Sequence, residues 1–415
     1  VAARSASGYK ERVTRYLPFL LFFAVVLAVL GGLHGYLWVR LVRDTGLPEP
    51  WRRIATWLVL GAGLLIPVGL FTARLAGRSL TRAVPLAAFV WLGVAFLLFS
   101  SLLAVDAARF LGWGAGALGD WLRGVPDVPA DPARRQLLAR AMAGGALMAA
   151  GGATAMALRS ASGPAQIDEV SVRLERLPPA LSGLTIAQVS DLHVGVTIRE
   201  REVRRVVEQV NGMRPDAIAI TGDLVDASPR ELGAIVAELG KLQARHGVFF
   251  VTGNHEYYSG VDAWLPFLTG LGIRVLRNER VALGDRSPGG ATIDLAGVDD
   301  WGARQFGGDH GMDLERALAG RDPERGLVLL AHQPRDVGSS IRQGVELQLS
   351  GHTHGGQLFP WSLAVRAAFP YLKGLHRLDE GGRSGQVYVS RGTGYWGPPM
   401  RLGAPPEITR LVLTT

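Results

Sequence analysis

Long uncharged apolar runs fill the first 160 positions, and short apolar runs broken by polar turns fill the rest. Residues 17–39 (LPFLLFFAVVLAVLGGLHGYLWV), 54–71 (IATWLVLGAGLLIPVGLF) and 84–105 (VPLAAFVWLGVAFLLFSSLLAV) each hold 18 or more positions without a formal charge. A hydrocarbon core of about 30 Å takes about 20 helical residues to cross, so each run predicts a transmembrane helix. His34 lies inside the first and is expected to face a neighbouring helix or the interface. A fourth helix is expected over 138–158, where small apolar residues follow Arg134 and Arg135. That pair reads as the cytoplasmic anchor of a retained helix, or as an internal twin-arginine export signal. Either reading sends the following domain out of the cytoplasm, although Arg4, Lys10, Arg12 and Arg15 would then lie outside, against the usual charge bias. The segment ARFLGWGAGALGDWL reads as interfacial or as an extension of the third span.

Beyond residue 160 the period changes. Residues 161–179 are expected to form a linker and first strand, and 180–415 a second domain. Its apolar runs fall at 184–190, 217–221, 247–252, 292–298, 326–331, 345–350 and 386–390, short and rich in β-branched and aliphatic residues, as buried strands are. Helical patterns lie between them: REREVRRVVEQVNGM places Val203, Val206, Val207 and Val210 on one face. The expected class is α/β (α+β).

Charge divides the same way. Residues 1–160 carry 17 Lys+Arg against 7 Asp+Glu, net +10, and residues 161–415 carry 27 against 29, net −2. The basic surplus belongs to the membrane half, and a mildly acidic second domain is not a phosphate-neutralising, nucleic-acid-binding surface. The absence of cysteine excludes thiolate metal sites, disulfides and cysteine nucleophiles.

Candidate chemistry sits where the strands stop. Asp191 and His193, Asp223, Asn254 and His255 with Glu256, His332, and His352 with His354 each follow an apolar run. In α/β sheets ligands bind beyond the carboxyl ends of strands, so five such clusters point to one shared site. The donors are oxygens and neutral nitrogens suited to Mn, Fe or Zn. An extended backbone would put Asp191 and His193 on one side and let His352 and His354 serve two adjacent ions, with Asp223 placed to bridge them. Gly222, Gly253 and Gly351 would bring the backbone close. A lone histidine after a strand is usually only a turn residue; five coincidences in order are much less probable than one metal site. Two cations about 3.5 to 4 Å apart acidify water and polarise phosphoryl oxygens. Asp299 and Asp300 read equally well as an entrance lining or a plain turn, and the aromatic and basic segment 369–378 reads as an ordinary amphipathic surface ahead of one that touches lipid headgroups.

The ordered set DLH, GDLVD, GNHE, AHQP and GHTHGGQ resembles the calcineurin-like metallophosphoesterases, and GTGYWGPPMRLGAPPEI resembles their membrane-associated bacterial branch. The resemblance covers roughly 180–411. It implies a four-layer sandwich of two β-sheets flanked by helices. It also implies that Asp191, His193 and His354 hold one divalent ion, that Asn254, His332 and His352 hold another, and that Asp223 bridges. His255 matches a histidine that contacts substrate, as general acid or as electrostatic contact; Asp226 and Glu256 are expected to orient the ligands. The function so implied is a membrane-anchored phosphoesterase, a phosphodiesterase by expectation. A lipid-linked or envelope phosphoester would be its substrate, with the catalytic domain outside the bacterial cell membrane. A membrane sensor whose domain only binds a ligand is the alternative.

Overall fold

The structure is a computed structural model and describes residues 21, 23–73, 82–123, 131–285, 287 and 289–415. Residues 17–20 and 22 of the first expected span, and Arg4, Lys10, Arg12 and Arg15, lie outside the described residues. The chain divides into two compact units, the second being Met156–Thr415.

Among the described residues four helices are long and apolar enough to cross a membrane: α1 (Phe23–Arg43), α2 (Trp51–Ala73), α3 (Ala83–Arg123) and α4 (Pro132–Ser162). The segment ARFLGWGAGALGDWL is the continuation of α3, which runs 41 residues without a break. Helix α4 starts six residues before its apolar stretch. Asp131 accepts the Ala133 N–H at 2.9 Å and Pro132, lacking an N–H, occupies the first turn. Several buried polar groups of this unit pair with one another. His34 is buried, its Nδ1 2.8 Å from the Leu30 carbonyl and its Nε2 3.0 Å from the Trp91 indole N–H. Arg40 pairs with Asp44 and Asp106, and the Tyr36 hydroxyl donates to Asp106 at 2.7 Å.

The second unit holds two six-stranded sheets. The first has the order β1 (Gln166–Arg173), β12 (Glu407–Thr414), β2 (Thr185–Val189), β3 (Ala217–Ile220), β4 (Val248–Phe250), β5 (Arg274–Val275). The second has the order β10 (Gly374–Glu380), β11 (Arg383–Val389), β9 (Leu347–Ser350), β8 (Leu327–Leu330), β7 (Thr292–Gly297), β6 (Glu279–Gly284). The inner faces share one core, with Ile186, Ala219 and Phe249 from the first sheet and Leu295, Val328, Leu330 and Leu349 from the second. The first sheet's outer face packs on α5 (Glu200–Gly212), α6 (Pro229–Val236) and α8 (Val261–Gly270), through Val203, Val207, Leu232 and Trp264. The second sheet's outer face packs on α9 (Leu314–Leu318) and α10 (Val337–Arg342). This is the sandwich of two helix-flanked sheets.

The seven apolar runs are β2, β3, β4, β7, β8, β9 and β11. Strands β2, β3 and β4 are mutually parallel, as are β7, β8 and β9, so their carboxyl ends gather at one edge. Strands β5, β6 and β10 carry half-exposed residues with no apolar run, which is why pattern alone does not locate them.

Candidate metal site

Each expected ligand lies two to four residues past a strand. Asp191 and His193 follow β2, Asp223 follows β3, and Asn254 opens the short helix α7 (Asn254–Tyr258) after β4. His332 follows β8, and His352 and His354 follow β9. The chain does not stay extended there. Asp191, His193, Asp223, His352 and His354 all have φ between 51° and 70°, the left-handed region that ordinary side chains avoid. The expectation that an extended backbone aligns neighbours two apart is therefore corrected: tight left-handed turns direct these side chains. Glycine makes the turns possible. A Cβ on Gly222 (φ +87°) would lie 2.6 Å from the Gly253 nitrogen, and one on Gly351 would run into the Asp191 carboxylate.

The turns gather the side chains into clusters. Asp191, His193 and His354 form one, and Asp223, His332 and His352 another, each with potential ligand atoms within 4.8 Å of one another. His352 and His354 thus belong to different clusters. In the first, His193 Nε2 and His354 Nε2 face each other at 3.1 Å, and Asp191 Oδ1 is 3.5 Å from His354 Nε2. In the second, His352 Nδ1 lies 3.2 Å from His332 Nε2. Asp223 Oδ2 reaches both, 3.8 Å from His193 Nε2 and 3.2 Å from His332 Nε2. Asp191, His193, Asp223, His332 and His354 are buried; Asn254, His255 and His352 are partly so.

Neighbouring groups fix the orientation of the rings. The outer Nδ1 of His332 is 2.7 Å from the Thr221 carbonyl, and that of His193 is 2.9 Å from Asp226 Oδ1, which turns both Nε2 atoms inward. Asp226 Oδ1 is also 2.8 Å from His255 Nδ1. Glu256 is fully buried and accepts the N–H groups of Asp223, Leu224 and Gly253, which ties the β3 and β4 turns together. Arg401 is the residue that motif reading misses. Fully buried, it donates to the carbonyls of His354 and Arg391 at 2.9 and 2.7 Å, and its Nη2 lies 3.2 Å from His354 Nδ1. Its only signal in the sequence is a lone arginine in a Gly- and Pro-rich loop.

Electrostatics follow from the crowding. Burial opposes ionisation of Asp226, but the adjoining His193 and His255 hold its carboxyl down at about 2. Burial likewise opposes a charge on His255, yet the bond to Asp226 and the Asp223 charge lift it to about 9. His352 falls to about 3, through burial first and then the charges of His332 and Arg335. Burial and the Arg401 charge push His354 well below its ordinary value. Burial and the Asp223 charge raise Glu256 to about 7. Neutral imidazoles at 352 and 354 are the form that ligates metal.

The donor set fits divalent cations. Nitrogens and carboxylate oxygens converge, two rings have their outer nitrogens tied back, and the buried Asn254 Oδ1 has no hydrogen-bond partner. Asp299 and Asp300 do not line an entrance: both are buried, the first paired with Arg277 and the second bonded by Gln333. His376 lies in β10, and the segment before it leaves the end of α11 (Trp361–Ala368) through a bend and enters that strand.

The calcineurin-like phosphoesterase family matches residues 184–356. A transmembrane protein with metallophosphoesterase domain from Bos taurus is 40% identical over 316 residues, covering 74% of this chain and 68% of that one. A Helicobacter pylori metallophosphoesterase is 41% identical over 251 residues, covering 60% of this chain and 64% of that one. Among solved structures, a Haemophilus influenzae NAD nucleotidase aligns over half of each chain with a TM-score of 0.35 and 16% identity. The chain belongs to the calcineurin-like metallophosphoesterases. With its four apolar helices, it is a membrane protein carrying a metallophosphoesterase domain, and the fold implies divalent metal ions.

Proposed function

We propose that this chain is a membrane-anchored phosphodiesterase working through a dinuclear metal centre. Asp191, His193 and His354 would hold one divalent ion, Asn254, His332 and His352 the other, and Asp223 would bridge. The observation that carries this reading is Asp223 Oδ2, a single buried oxygen within 3.8 Å of a histidine nitrogen from each cluster. When bound, such ions supply an activated water and neutralise charge on the phosphoryl group. The protein's own groups do the rest. Asp226 and the Thr221 carbonyl hold the His193 and His332 rings in position. His255 carries a proton at neutral pH and delivers it to the leaving oxygen as the P–O bond breaks, after which Asp226 holds the ring in place for reprotonation.

The substrate is proposed to be a lipid-linked or envelope phosphoester, with the domain outside the cytoplasm. The rim of the site supports this. His255 packs edge-on against Tyr258 at 5.4 Å and Trp396 at 5.8 Å, and these rings are 62% and 57% exposed. Exposed aromatics at the mouth of a site suit a bilayer interface. Arg134 and Arg135 open α4, and the domain follows the helix's other end, as an outward topology requires. The test is hydrolysis of bis(4-nitrophenyl) phosphate by the full chain in detergent with Mn²⁺, against Asp223→Asn. Metal-dependent turnover in the native protein and its collapse in the variant support the reading; a well-folded native protein that binds no metal and turns nothing over sinks it.

A further inference from the structure

The turn that carries His332 also carries Arg335, a cation outside both ligand clusters. Its guanidinium carbon lies over the Trp301 ring, 4.8 Å from its centre, and over the Phe369 ring, 4.6 Å from its centre, so the cation is seated against two aromatic rings. Nε donates to Gln333 Oε1 at 3.0 Å, and the Gln333 amide in turn donates to both oxygens of the buried Asp300, at 3.2 and 3.0 Å. Trp301 is fixed as well, its indole N–H donating to Asp336 at 2.8 Å. Among the described residues Arg335 makes no ion pair, and neither terminal nitrogen donates to a protein acceptor. Other buried or half-buried arginines near this edge are committed, Arg277 to Asp299, Arg391 to Glu407 and Arg401 to the His354 and Arg391 carbonyls.

Phe369 connects this cation to the metal site. Its other ring contact is edge-on to His352 at 5.2 Å, so a single aromatic side chain separates the guanidinium from a candidate ligand. Trp301 is 49% exposed, which leaves the group open to a solute. A guanidinium seated against two rings, with its Nε tied back, presents its two terminal nitrogens in one plane. That fork matches two oxygens of a phosphate, and little rotamer entropy remains to be lost when it binds.

We propose that Arg335, seated against Trp301 and Phe369, forms a second anion subsite for a phosphate group adjoining the scissile one, so that substrates carrying two phosphates close together are preferred. The proposal rests on the phosphoesterase reading of the neighbouring clusters.

Binding separates it from that reading. Dissociation constants for methylenediphosphonate and methylphosphonate are measured by calorimetry on the full chain in detergent with saturating Mn²⁺, for the native protein, Arg335→Gln and Arg335→Lys. Two charge-assisted hydrogen bonds imply that Arg335→Gln lowers the preference for the diphosphonate by about ten-fold or more, with Arg335→Lys, a charge without the planar fork, in between. Circular dichroism and the thermal midpoint report whether each variant is folded; should Arg335→Gln not fold, Arg335→Lys alone must show a reduced preference. An unchanged ratio in a folded variant, or a native protein that binds both ligands equally, overturns the subsite. Failure of turnover with a normal diphosphonate preference counts only against the hydrolytic reading.

Discussion

The two units treat buried polar groups in opposite ways. In the helical unit His34 has both ring nitrogens engaged, by Leu30 and Trp91, and Arg40 is surrounded by Asp44 and Asp106. Both nitrogens of that histidine close on a neighbour and the ring is complete as it stands, while Nε of Arg40 is buried without a hydrogen-bond partner. At the sheet edge the outer atoms are tied back while the inner ones converge on each other: His193 Nε2 on His354 Nε2, His352 Nδ1 on His332 Nε2, and Asn254 Oδ1 on nothing. Histidine is common to both places. What separates structural from functional use is whether its second nitrogen has a protein partner that completes it.

The most severe way to break the contrast is Asp223→Asn. Loss of the shared carboxylate is expected to lower Mn²⁺-dependent hydrolysis by several orders of magnitude, measured as initial rates on an aryl phosphodiester; a variant retaining most of its rate would remove Asp223 from the bridge. Next comes His255→Gln. Loss of a proton donor is expected to cost about 10² to 10⁴ in kcat on an ester with a poor, alkoxide leaving group. The loss should be much smaller with 4-nitrophenolate, and equal losses on the two would leave His255 a contact residue. Glu256→Gln tests the scaffold. An amide cannot accept all three N–H groups of Asp223, Leu224 and Gly253, so the variant should lose about 1 to 3 kcal/mol in denaturant unfolding. The smallest effect is expected from His34→Leu, about 1 kcal/mol from the unpaired Trp91 N–H, with hydrolysis unaltered. A large loss of activity there would erase the distinction between the two units.

The parallel strands, and the gathering of the candidate ligands at their ends, were legible because burial on both faces forces unbroken apolar runs, and because strand ends in such sheets are where chemistry collects. The local geometry was not. Alternation suggested that Asp191 with His193, and His352 with His354, align through extended backbone, whereas all four sit in left-handed turns. Glycines at 222, 253 and 351 signalled tight turns without saying which neighbours would adopt the strained conformation. Arg401 was invisible for another reason. Its role comes from total burial against carbonyls contributed by His354, Arg391 and Gly394, and nothing in a one-dimensional pattern marks an arginine as internal. The pairing of Arg335 with Trp301 and Phe369 joins three separate loops and is equally beyond periodicity.

The left-handed backbone at His354 (φ 52°) gives the molecule an experimental handle. Glycine is at ease in that conformation, so His354→Gly removes an imidazole while relaxing the chain that carried it. The hole left behind has the shape of the missing ring, and free imidazole added from solution can be titrated into it, turning one protein side chain into a dose-controlled reagent.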